Sequence, residues 1–200
     1  MSGAGKPDFF YREAQRLGYV ARSAFKLIQM QKQYKFRTPG SSVLDLGCAP
    51  GAWLQVACQS LGPLKNGGIV VGIDLKKWKI PADHSKAFSV VLLDMCPLVS
   101  GISSKDAALS LELGMQALNL NEIQTEQSNV GPTTSSDDNG VLQRGGNLVI
   151  KLLESEDVQE INQICKPLFR KASLLRPKAT RSSSREIYLI CQGLQSQAKT

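Results

Sequence analysis

Between residues 43 and 151 the chain carries four short, nearly uninterrupted apolar runs: VLDLG at 43–47, GGIVVGID at 67–74, FSVVLLD at 88–94 and GGNLVIK at 145–151. Stretches with helical spacing separate them. None of the four alternates apolar with polar positions, so each predicts a strand buried on both faces. Together they predict a mostly parallel sheet between helical layers. Two later runs, KASLLRP at 171–177 and REIYLICQG at 185–193, predict a further pair of strands, set antiparallel. Ahead of the first strand, Tyr19, Ala24, Phe25, Leu27, Ile28 and Met30 fall on one helical face, and residues 8–35 read as helix up to the turn Thr38-Pro39-Gly40. The expected fold is α/β: a three-layer, Rossmann-like sandwich with a mostly parallel sheet.

A chain of 200 residues with 42% apolar content suits one domain over 1–200. Residues 121–143 are rich in Ser, Thr, Asn and Asp and read as a flexible polar loop within it. No apolar run reaches membrane-spanning length, so no membrane partner is expected. The start has no apolar signal core and makes a poor organelle presequence. Five cysteines without a CxxC pair and a single histidine, His84, argue against a metal site and for reduced, intracellular thiols. They also weaken any hydrolase built on a Ser-His or Cys-His pair.

The net charge of +7 is unevenly spread. Residues 1–40 form a basic helical segment with eight Lys/Arg against two acids, residues 165–200 hold eight against one, and the middle holds eight against fourteen. If the two ends meet, they form one positive surface suited to a phosphate backbone; the alternative is solubilising charge.

The turn after the first strand, VLDLGCAPGAW, poses the chemical question. Ligands of a parallel sheet bind beyond the carboxyl ends of its strands. Gly47 and Gly51 allow close backbone approach, and Asp45 stands beside them. The turn has neither the G-x-G-x-x-G fingerprint nor the Lys-Ser/Thr of a phosphate loop, and an acid here repels phosphate. Asp74, at the tip of the second strand, is placed to accept hydrogen bonds from ribose hydroxyls. A ligand with a ribose, a positive centre and no phosphate is S-adenosylmethionine. The plain alternative is a strand–turn–helix with a glycine cap. Asp94 and Lys151 end the third and fourth strands and face one crevice, either as a structural ion pair or as a carboxylate tuning a basic lysine.

These residues resemble the FtsJ/RrmJ-type RNA 2′-O-methyltransferases. The resemblance rests on ARSAFKL (21–27), VLDLGCAPGAWLQVA (43–57), GIDL (72–75), VVLLDMCP (90–97), GGNLVIKLLE (145–154) and RPKATRSSSREIYLIC (176–191). The plant and organellar branch is the nearest, so a mitochondrion or other organelle is plausible, with cytoplasm or nucleus the alternative. The resemblance implies a Lys-Asp-Lys-Glu tetrad of Lys26, Asp94, Lys151 and Glu186. Lys151 would act as base or orienter for a ribose 2′-hydroxyl, Lys26 and Asp94 would tune and position, and Glu186 would hold the lysines. Asp45, Gly47, Gly51, Trp53, Asp74 and Asp94 would line the cofactor, with Trp53 equally readable as core. Arg12, Arg16, Arg22, Lys178, Arg181 and Arg185 would grip RNA phosphates. Ribosomal RNA or a ribosomal particle is the expected partner and a monomer the expected state. Transfer RNA, cap RNA and a catalytically weak RNA-binding role are the alternatives.

The chain departs from the family in one place. Only LKKWKIPADHSKA, thirteen residues, separates Asp74 from Phe88. A strand–helix pair does not fit there, although thirteen extended residues still reach about 43 Å. The sheet is therefore expected to lack one edge strand and to present GGIVVGID as its new edge.

Overall fold

The computed structural model describes residues 8–74, 87–95, 100, 102–119 and 141–195. Six strands carry the fold: β1 (Ser42–Leu46), β2 (Ile69–Ile73), β3 (Phe88–Leu93), β4 (Leu142–Leu153), β5 (Phe169–Leu175) and β6 (Glu186–Leu194). They form one sheet in the order β2-β1-β3-β4-β6-β5. The first three pairings are parallel, and β6 runs antiparallel to both β4 and β5. This is the mostly parallel α/β sheet that the apolar runs predict.

Strand alternation divides the core in two. Leu44, Leu46, Val91, Leu93, Ile150 and Leu152 point to one face, covered by α5 (Val158–Leu168) through Val158, Ile161 and Cys165. On the same side lies α4 (Ser103–Asn119); a Cβ on its Gly114 would sit 2.9 Å from Ile161 and 3.2 Å from Leu152. Val43, Val90, Leu92, Val149, Tyr188 and Ile190 point to the opposite face. There they meet α2 (Ala24–Tyr34) through Ala24, Leu27 and Met30, and α3 (Ala52–Leu61) through Trp53, Val56 and Ala57. Asp45 and Lys151 share strand parity with Val43 and Val149, so they belong to the α2/α3 side.

The structure corrects two boundaries. Residues 8–35 are not one helix: α1 (Phe9–Arg16) ends before α2 begins. Gly18 takes φ +75°, its N–H donates to the Gln15 carbonyl, and the Tyr19 N–H donates to the Ala14 carbonyl. That pair of bonds is a Schellman stop, which the apolar periodicity hides and the glycine permits. At the other boundary, the polar loop expected over 121–143 gives way to strand by Leu142, which pairs with Phe88. The register then shifts around Gly145 and Gly146, so the long strand absorbs a bulge. The rest of that loop, and most of the short link after Asp74, lie outside the described residues.

Among the described residues β2 pairs only with β1, so it forms the edge, as the shortened link predicts. Its burial is correspondingly thin: Ile69 is 38% exposed and only Ile73 is fully buried. No described helix is long and apolar enough to cross a membrane. An apolar strand edge invites intermolecular pairing, and a lysine there blocks it. Ile69→Lys is therefore expected to reduce light scattering of concentrated protein at 37 °C while moving the thermal midpoint by no more than a few degrees. An unchanged scattering curve would mean the edge is already covered.

Candidate functional site

The VLDLGCAPGAW turn closes over the tips of β1 and β2. The Gly47 and Cys48 N–H groups both donate to the Ile73 carbonyl, at 2.8 and 3.2 Å, and the Ala49 N–H donates to Asp74 Oδ2 at 3.0 Å. Gly47 has φ +75°, and a Cβ there would lie 2.4 Å from the Met95 side chain. Gly51, with φ +106°, precedes α3 and faces open space, leaving room for a ligand against the backbone. Asp45 lies beneath the turn. It is fully buried, and neither carboxylate oxygen has a hydrogen-bond partner among the described residues. Burial, then Asp94 and Asp74, push its pKa up to about 8, against the opposing pull of Arg37. Arg37 is also buried, and burial lowers it to about 10 against the pull of Asp45. At neutral pH the turn thus sits over a mostly protonated acid that burial keeps neutral.

Across the sheet, Leu93 is in register with Ile150, so the next residues, Asp94 and Lys151, stand side by side. Lys151 Nζ is 3.0 Å from Asp94 Oδ1 and also donates to the Asp94 backbone carbonyl. Lys151 is opposite Tyr188 on β6, and Leu153 is opposite Glu186. Glu186 forms an ion pair with Lys26, in the first turn of α2. Burial alone would raise the Glu186 carboxyl, but Lys26, then Lys151, hold it below the usual glutamate range. All four predicted residues therefore gather on one face as two ion pairs. Their side chains keep between 8% and 21% of their surface.

Tyr188, which the sequence reading passed over, bridges the two pairs. Its hydroxyl donates to Asp94 Oδ1 at 3.3 Å, and Lys26 Nζ lies 5.8 Å from its ring centroid. The signal was available: in SREIYL, Tyr188 is two residues after Glu186 and so on the same strand face. Trp53 settles into the core reading. It is 2% exposed, its ring lies 5.8 Å from Tyr188, and its indole N–H donates to the Ser23 carbonyl that opens α2. It anchors the lysine-bearing helix.

The two basic ends meet. Asp8 caps α1 by accepting from the Tyr11 N–H, pairs with Arg22 at 2.7 Å and reaches Arg181 at 3.5 Å. Arg22 also donates to the Ala179 carbonyl, and Gln29 accepts from the Ala179 N–H. Arg185 donates to the Glu154 carbonyl at 2.5 Å, and Arg16 is paired with Glu13. Arg12 and Lys178 are exposed. Of the six predicted RNA-gripping residues, Arg22 is thus largely an internal tie, while the others stay at or near the surface.

A family profile described as FtsJ-like methyltransferase matches residues 19–86 and 78–194. A ribosomal RNA large subunit methyltransferase E of Desulfatibacillum aliphaticivorans is 35% identical over 203 aligned positions, covering 92% of this chain and 88% of the relative. Its namesake in Methanocaldococcus jannaschii is 32% identical over 213 positions, covering 94% and 78%. The aligned positions exceed the residues this chain contributes by about 19 in the first alignment and about 25 in the second, in keeping with a shortened interior. Among solved structures, a Plasmodium falciparum protein described as a ribosomal RNA methyltransferase superposes with a TM-score of 0.66 at 21% identity, covering 90% of this chain and all of that one.

The raised Asp45 pKa makes stability fall with pH. Between about pH 4 and 8 the unfolded carboxyl has lost its proton while the folded one keeps it, so the unfolded state gains as pH rises. Asp45→Asn is expected to flatten the decline of the thermal midpoint from pH 5 to 8. Parallel declines in both proteins would place the titration elsewhere.

Proposed function

The chain belongs to the FtsJ-like methyltransferase family, and from that premise we propose that it is an S-adenosylmethionine-dependent RNA 2′-O-ribose methyltransferase acting on ribosomal RNA. The observation that carries this reading is the pairing of Lys151 with Asp94 beside the Lys26–Glu186 pair. The printed names of the relatives support ribosomal RNA as the substrate.

The residues at the turn fit the cofactor. Asp45 is a buried acid without a hydrogen-bond partner among the described residues, Gly51 leaves space, and Asp74 is a carboxylate with acceptor capacity beyond the single amide it binds. Asp74 would accept from the ribose hydroxyls. When bound, S-adenosylmethionine supplies a methyl group made electrophilic by its sulfonium.

The chain's own residues do the rest. Lys151 Nζ, in its neutral form, would hold the ribose 2′-hydroxyl and take its proton, becoming the ammonium that pairs with Asp94. Asp94 fixes Lys151 through both its carboxylate and its backbone carbonyl. Tyr188 steadies Asp94, and Lys26, held by Glu186, keeps positive charge beside the oxygen that is losing its proton. Positioning and fixed charge carry most of the catalysis. A second reading, an RNA-binding protein with weak catalysis, draws on the edge position of β2. The missing strand–helix unit would have followed Asp74, on the cofactor side, which predicts a weaker hold on the cofactor than in longer relatives.

Calorimetric titration with S-adenosylmethionine comes first. Micromolar binding that is lost in Asp74→Ala supports the enzyme reading, and no binding by folded protein supports the second. With binding in hand, Lys151→Ala is expected to lower methylation of ribosomal RNA on the order of 10²–10⁴-fold while keeping cofactor affinity. Full activity in that variant would remove Lys151 from the chemistry. For RNA binding, Lys178 is the cleaner probe, because Arg181 also holds Asp8. Lys178→Ala is expected to reduce the slope of log affinity against log salt by about one and to leave cofactor binding unchanged.

A further inference from the structure

Four of the six large hydrophobic side chains exposed among the described residues lie within twelve positions of the N-terminal lobe: Phe9 at 63%, Tyr11 at 41%, Leu17 at 47% and Val20 at 55%. A packed helix does not account for them, since α1 buries only Ala14. They also form no smooth apolar face, because Arg12 and Arg16 are exposed between them.

The rings are connected. Phe9 meets Phe10 edge to face at 5.4 Å, Phe10 meets Phe25 at 5.4 Å, and Tyr19 meets Phe25 at 5.9 Å. Phe25 directly precedes Lys26 in α2. An aromatic path therefore runs from the exposed Phe9 ring to the neighbour of a tetrad lysine. The path is held in place: Asp8 caps α1 and pairs with Arg22 at 2.7 Å, and the Arg22 guanidinium lies 5.9 Å from the Phe10 ring centroid.

We propose that Phe9 and its aromatic neighbours are a stacking platform for unpaired bases of the RNA substrate, flanking the nucleotide that reaches the tetrad. This rests on the RNA reading above and goes beyond it by naming unpaired nucleotides as what the N-terminal lobe receives. Charge argues for RNA over an apolar protein surface. Residues 1–40 hold eight Lys/Arg and two acids, and both acids are tied to arginines, Asp8 to Arg22 and Arg181, Glu13 to Arg16. A positive lobe with a presented ring offers a nucleic-acid strand both of the contacts it uses, backbone attraction and a face on which any base stacks.

The test uses labelled oligoribonucleotides, one unpaired decamer and the same decamer annealed to its complement, with Phe9→Ala, Phe9→Leu and Phe9→Tyr. Phe9→Ala and Phe9→Leu are expected to weaken binding of the unpaired strand between about fivefold and a hundredfold. Phe9→Tyr keeps the ring and the affinity, the duplex responds to none of the three, and cofactor titration stays unchanged. Equal affinity in Phe9→Ala would overturn the platform and leave the RNA reading standing. Full binding by Phe9→Leu would also overturn it, pointing to an apolar docking face. Absence of RNA binding by the unaltered chain would overturn the RNA reading itself.

Discussion

The parallel register that sets Leu93 beside Ile150 is the constraint on which the site depends. One residue further, it places a carboxylate and an ammonium within ion-pair distance at the tips of two central strands. Slipping that register by one residue would turn Lys151 to the face covered by α5 and strand a charge among Leu and Ile side chains. The antiparallel register of β6 then sets Tyr188 opposite Lys151 and brings Glu186 to the same face. Lys26 is the one member that does not come from the sheet, and its helix is fixed by the Trp53 indole through Ser23.

That helix connects the chemistry to the rest of the chain. The Gln55 side chain accepts from the Val20 N–H and donates to the Gly18 carbonyl, while the Tyr19 hydroxyl donates to Gln59. So α3, which starts at the glycine turn, also grips the junction between α1 and α2. Asp8 ties that junction to the segment before β6. The glycine turn, the two ion pairs and the basic surface thus share one small set of rigid parts. Preorganisation of this kind is what a transfer reaction without a covalent intermediate demands.

Much of this could be read in the chain. Four buried strands announced themselves as apolar runs, and the family resemblance pointed to Lys26, Asp94, Lys151 and Glu186, which the fold brings together as two ion pairs. What escaped has physical causes. The break at Gly18 escaped because apolar spacing continues across it. The strand character of Leu142 and Gln143 is hidden in the sequence because a bulge at two glycines separates them from the apolar run. Trp53 is ambiguous in sequence because a residue in the first turn of a helix can face either way; the fold buries it and its indole N–H donates to the Ser23 carbonyl. The burial of Asp45 and Arg37 is a matter of packing in three dimensions, to which a sequence offers no direct index.

The place of β6 in the sheet has a consequence for biosynthesis. It is the last of the six strands to leave the ribosome, yet it lies between β4 and β5, both made before it. The growing chain therefore has two neighbouring strands in hand with the gap between them unfilled, and that gap closes only when residues 186–194 arrive. Glu186 and Tyr188 arrive with them. The Lys26–Glu186 pair and the Tyr188 bridge to Asp94 are therefore completed only by the strand made last.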